Sequence, residues 1–147
     1  MKTMDISAGT RPPKILLVED FDDTRLMMRL WLQRKGYRVI EADTGEEAVT
    51  VAQRERPDLI IMDMKMPGMN GLDATQEIRQ DQALRDTPIV AVSAYGVEEY
   101  RSLALEAGCD EYVSTPFDPV ALAEIIASLL TAQVSSSGDA QPTNLAP

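Results

Sequence analysis

Five short apolar runs, each followed by a helix-length segment, predict an α/β protein built on a parallel sheet with helices on both faces. Most of these runs are continuous rather than alternating, as strands covered on both sides require. The length agrees: 147 residues make one domain with a real core, not two.

The runs fall at residues 15–18, 37–40, 59–62, 89–92 and 112–113. Asp22 and Asp23 open a first helix that ends near Gly36. Thr44-Gly45-Glu46-Glu47 is a capping box, in which hydroxyl and carboxylate satisfy each other's end of the first turn. A third helix is expected from about Gly71 to Asp81, and a fourth from Val97 to Ala107, stopped by Gly108. Asp118-Pro119 starts the last one, a capping side chain followed by proline at the first helical position. In it Leu122, Ile125, Ile126 and Leu129 make one buried stripe. Residues 1–13 read as a flexible leader. From 132 the chain turns to serines, Gly138 and polar, proline-containing sequence, which reads as a disordered tail. The domain is thus expected over residues 14–131, with no room for a DNA-binding or enzymatic output domain.

Composition narrows the chemistry. Hydrophobic residues make up 44% and charged residues 26%, an ordinary globular balance. The apolar runs are too short to span a bilayer, and residues 1–13 lack the apolar core of a secretory signal, so a cytoplasmic location is expected. Cys109 is the single cysteine, which excludes an intrachain disulfide and suits a small buried residue. With no histidine, the chain has no His-based triad, no His-ligated zinc and no phosphohistidine of its own. A net charge of −10 argues against nonspecific nucleic-acid binding. Carboxylates are the chemical resource that remains.

In parallel α/β sheets, ligands collect outside the carboxyl ends of the strands. Reading those ends in order finds Glu19-Asp20 after the first run, Asp63 after the third, Ser93 after the fourth and Thr115-Pro116 after the fifth. Three carboxylates at one sheet edge repel unless a cation joins them. An all-oxygen donor set favours a hard ion, Mg²⁺ in a cell. Any one of these acids alone could equally be a solvated residue or a cap for the next helix; the ordered set is harder to read that way.

At this point the chain resembles the receiver domain of bacterial response regulators, of the chemotaxis-type single-domain kind. The likeness covers about Lys14 to Thr131. It rests on Leu17-Val18-Glu19-Asp20, on the segment from Leu59 to Gly71 with Asp63 followed by Met66-Pro67-Gly68, on Ala91-Val92-Ser93-Ala94, and on Gly108-Cys109-Asp110-Glu111-Tyr112. The resemblance implies the flavodoxin-like doubly wound (βα)5 fold with strand order 2-1-3-4-5. It implies that Asp63 accepts a phosphoryl group from a histidine kinase or phosphotransfer protein. Mg²⁺ would be held by Asp20 and Asp63 directly, by the Lys65 backbone carbonyl, and through water by Glu19. Ser93 would hydrogen-bond the phosphoryl group and let Tyr112 change rotamer. The implied protein is a phosphoacceptor rather than an enzyme. Its partners would be the kinase and a downstream protein target, with neither nucleic acid nor membrane, and its expected state is a monomer.

One position departs from the family. Thr115 stands where lysine normally precedes the proline after the last strand. A charged hydrogen bond is worth roughly 1.5–3 kcal/mol, so threonine weakens phosphoryl stabilisation or its coupling to the switch while leaving nucleophile and metal site in place. Lys65 is a candidate for partial compensation, and otherwise a solvent-facing loop cation. The Thr115-Pro116 bond resembles the family's often cis bond, although X-Pro bonds favour trans.

The first helix is apolar around most of its circumference. Met28, Trp31 and Leu32 can face the sheet, which turns Leu26 and Leu30 elsewhere, either outward as a partner face or under the last helix. Met64, Met66 and Met69 read as loop packing. Two rivals remain from other classes: a non-switching interaction module, and an aspartyl phosphatase. The latter expects Asp-x-Asp, whereas Asp63-Met64-Lys65 lacks the second acid. Nucleotide or flavin binding has no Gly-rich phosphate loop to support it.

Overall fold

The computed structural model describes residues 11–94 and 98–139, with backbone only for residues 98–99 and 133–139. Five strands, β1 (Lys14–Val18), β2 (Arg38–Ala42), β3 (Leu59–Asp63), β4 (Ile89–Ser93) and β5 (Glu111–Ser114), form one parallel sheet in the order 2-1-3-4-5. Five helices alternate with them: α1 (Asp22–Arg34), α2 (Gly45–Glu55), α3 (Gly71–Arg79), α4 (Glu98–Ala107) and α5 (Pro119–Asp139). This is the flavodoxin-like doubly wound arrangement.

The period-2 geometry of the strands divides the core in two. From β1, Leu16 and Val18 point into one layer with Ala48, Val51, Ala74, Ile78 and Ala104. Ile15 and Leu17 point into the other, with Met28, Leu32, Leu122 and Ile126. The stripe expected on α5 lies there too, Leu122 and Ile126 fully buried and Ile125 and Leu129 packed against them. Met64 and Met66 are buried and Met69 packs on the first layer.

Boundaries moved where local chemistry decided. Thr44 caps α2 by accepting from the Glu47 N–H at 3.0 Å, but the Glu47 carboxylate returns to the N–H of Asp43 rather than of Thr44. The segment expected to be one helix from Gly71 to Asp81 ends at Arg79; Asp81 then caps a separate 3-10 turn, Gln82–Leu84, by accepting from Ala83 N–H. Gly108, at φ +120°, ends α4 as expected. The last helix does not stop near 131 but continues to Asp139. Once a helix is nucleated, each further residue adds a hydrogen bond at little cost, and no proline interrupts this stretch. The remainder of the expected tail, 140–147, most of the leader, 1–10, and Val97 lie outside the described residues. Among those described, no helix is long and apolar enough to cross a membrane.

Candidate functional site

Strand register brings the candidate site residues to the carboxyl edge of the sheet. Val18 pairs with Met62, so the turn after β1 emerges beside the end of β3. Asp63 pairs with Val92, and Ser93 with Ser114. The Thr115 N–H donates to the Ser93 carbonyl at 2.8 Å, continuing the ladder one residue past β5. The switch in strand order falls between β1 and β3, where the acids are.

Glu19, Asp20 and Asp63 each offer a carboxylate oxygen within 4.8 Å of the other two. Glu19, Asp63, Lys65, Ser93 and Thr115, with Thr24 and Ala94, line a cleft of about 270 Å³. Ser93 is buried, and the Thr115–Pro116 bond is cis. Asp63 Oδ1 accepts from the Lys65 N–H at 3.0 Å, which shapes the turn that follows it. Gly71 makes that turn possible: a Cβ there would lie 2.6 Å from the Asp63 carbonyl oxygen and 2.7 Å from Met64 Cα.

The electrostatics are those of a site short of positive charge. Burial, then the charge of Glu19 and the carboxylate of Asp20, push Asp63 from 3.8 up to about 8, against the lowering effect of the Lys65 N–H. Glu19 is raised as well, chiefly by burial and despite the Phe21 N–H that its Oε2 accepts at 3.1 Å. Three crowded oxygen donors with no nitrogen or sulfur among them fit a hard divalent cation. Such an ion would favour the charged forms of Glu19 and Asp63.

Other expected residues lie further off. Tyr112 is buried in the first core layer, its ring 6.3 Å from that of Tyr100, and its carbonyl accepts from Arg101. Leu26 and Leu30 are exposed, 45% and 46%, so the helix turns them outward rather than under α5. Met27 and Phe21 beside them are exposed too. Met28 and Leu32 are buried and Trp31 packs on Phe117, as expected of the inner face.

Sequence reasoning passed over Arg25. Its Nη1 donates to the Glu19 carbonyl at 2.9 Å, its Nε to Glu41 Oε1 at 2.9 Å and its Nη2 to Asp22 Oδ1 at 2.8 Å. Arg29 Nε sits 2.6 Å from the other Glu41 oxygen, close but not aligned as a hydrogen bond. The available signal was Glu41, a single acid in the otherwise apolar stretch Val39-Ile40-Glu41-Ala42.

Comparison with known proteins agrees with this geometry. The family model described as response regulator receiver domain matches residues 15–127. The polar-differentiation response regulator DivK of Brucella anthropi is 33% identical over 119 residues, covering 81% of this chain and 97% of DivK. The transcriptional regulatory protein ResD of Bacillus subtilis is 38% identical over 110 residues, 75% of this chain but 45% of ResD. The chain spans about half the length of ResD and of the ycf27 regulators it also matches. Among solved structures, the receiver domain of the sensor histidine kinase PA1611 from Pseudomonas aeruginosa superposes with a TM-score of 0.77 at 35% identity, covering 82% of this chain and 98% of that one. That structure has a magnesium ion coordinated in its active-site cleft.

Proposed function

We propose, because this chain belongs to the response regulator receiver domain family, that it accepts a phosphoryl group on Asp63 from a histidine kinase or histidine phosphotransfer protein and signals by protein–protein contact. The single observation that carries the reading is the convergence of Glu19, Asp20 and Asp63 within 4.8 Å at the switch point of the sheet. An Asp63 oxygen attacks phosphorus, the phosphorus–nitrogen bond of the donor's phosphohistidine breaks, and the released imidazole takes up a proton. Asp20 and Asp63 would hold Mg²⁺ directly, with the Lys65 carbonyl and, through water, Glu19; the bound ion neutralises charge on the transferring oxygens. Until transfer, the Lys65 N–H fixes the orientation of the Asp63 carboxylate.

Ser93, buried on the same cleft, is the donor for the phosphoryl oxygen, and Tyr112 is the side chain whose rotamer follows. Together they bias the face made by α4, β5 and α5 between two states, and the downstream target prefers one of them. Leu26 and Leu30 are the partner face on α1, exposed to solvent. The reading includes a monomer in the cytoplasm, with no nucleic-acid or membrane ligand.

The test is phosphorylation with acetyl phosphate and Mg²⁺, followed by mass spectrometry. One phosphoryl group should appear on the wild type and none on Asp63→Asn; an unlabelled wild type under every phosphodonor and kinase tried sinks the proposal. Thr115 favours a second reading, a phosphorylation-independent interaction module, because the cleft lacks the family's lysine at that position. Equal partner affinity with and without beryllofluoride would select it.

A further inference from the structure

We propose that Arg25, clamped against Glu41, is a positioning residue that sets the metal-binding geometry of the Glu19–Asp20 turn. The inference rests on the metal site of the proposed function and adds to it the device that holds the site in shape. The turn after β1 is anchored to the sheet on both sides of one residue. The Glu19 N–H donates to the Ala42 carbonyl on β2 at 3.1 Å, and the Glu19 carbonyl accepts from Arg25 Nη1 at 2.9 Å. Arg25 is itself fixed from β2, through Glu41, and from its own helix, through Asp22. Its side chain is only 17% exposed. Glu41 lies opposite Leu17, two residues before Glu19, so the clamp runs from the edge strand across β1 to the acidic turn.

Three acceptors in three directions match the planar fork of a guanidinium, and a lysine ammonium at the end of a flexible stem does not reproduce that arrangement. Residues that orient metal ligands without touching the ion typically contribute 10–100-fold to affinity. Here the sign of the effect separates the alternatives. Arg25 is a cation close to a cation site, so its charge alone opposes metal binding. Neutralising it strengthens binding if charge is what matters, and weakens binding if position is.

The experiment is calorimetric titration of the full chain with MgCl₂ at pH 8.5, for wild type, Arg25→Gln, Arg25→Lys and Glu41→Gln, each also unfolded in urea without metal. The clamp predicts about a tenfold rise in Kd for Arg25→Gln. Arg25→Lys, which keeps the charge and loses the fork, rises nearly as far. Glu41→Gln keeps an acceptor oxygen and stays within about threefold of wild type. A Kd for both Arg25 variants that is unchanged or lower overturns the clamp, whatever happens to their stability. Should Arg25→Gln fail to fold, Arg25→Lys decides alone. Failure of the wild type to bind Mg²⁺ is a different outcome, which overturns the metal site and the clamp together.

Discussion

Replacing Asp63 by asparagine is expected to stabilise the metal-free protein, and to do so more the higher the pH. The folded chain holds Asp63 at about 8 against an ordinary value of 3.8. A carboxyl raised on folding contributes stability that is complete below its unfolded value and is lost as pH rises through its folded one. Between pH 6 and 8 the unfolded chain has this carboxyl ionised, while the folded chain goes from nearly all protonated to about half. Stability therefore falls as pH rises through the window, by an amount on the order of 1 kcal/mol once solvent screening of this partly exposed carboxyl is taken into account. The chain contains no histidine, so no imidazole titrates there to obscure the slope. Asparagine keeps the oxygen that accepts from the Lys65 N–H and removes the charge, which leaves its stability nearly flat over the same window. Urea unfolding at pH 6, 7 and 8 in the presence of a chelator measures both slopes. Magnesium at about a hundred times its Kd should then add roughly 2.7 kcal/mol to the wild type at pH 8 and far less to the variant. Equal slopes for the two proteins, or a wild type that grows more stable toward pH 8, would refute the picture of three crowded acids.

Three further outcomes follow from the same structure. Arg79 donates to the carbonyls of Leu84, Thr87 and Gly108 and to Asp110, tying α3 to the segments before β4 and β5. Arg79→Ala leaves those carbonyls short of a donor and is expected to cost about 3 kcal/mol in urea unfolding. Gly71→Ala puts a methyl group against the Asp63 carbonyl and Met64; a loss of about 1–3 kcal/mol, with weakened Mg²⁺ binding, is expected by denaturation and calorimetry. Thr115→Lys restores a cation to the cleft and is expected to tighten beryllofluoride binding about 10–100-fold in the presence of Mg²⁺; no gain by fluorescence or calorimetric titration would show that Thr115 is already compensated.

The sheet was legible because its strands are short continuous blocks such as Ile15-Leu16-Leu17-Val18, a pattern that few other arrangements bury completely. The acids were legible because strand ends point at one edge, so that counting residues after each block found Glu19, Asp20 and Asp63 without any knowledge of register. Less could be read where competing local choices are nearly equal in energy. Whether the chain after Arg79 continues as helix or re-caps on Asp81 depends on one side-chain hydrogen bond, and the end of α5 depends on how far a helix already formed goes on extending. Arg25 stayed hidden for another reason. A cation near the start of a helix looks like any surface residue until Glu41, sixteen positions away in sequence, is seen to reach it.

The outward side of α1 also bears on how the protein behaves in bulk. Phe21, Leu26, Met27 and Leu30 present oily surface to water on a molecule that carries ten net negative charges. At low ionic strength, mutual repulsion keeps these patches apart between copies. Salt shortens the reach of that repulsion to about 10 Å at 0.1 M and about 3 Å at 1 M, while leaving the attraction between greasy surfaces intact. Colloidal stability of this chain is thus set by counterions, and it declines as the buffer is concentrated.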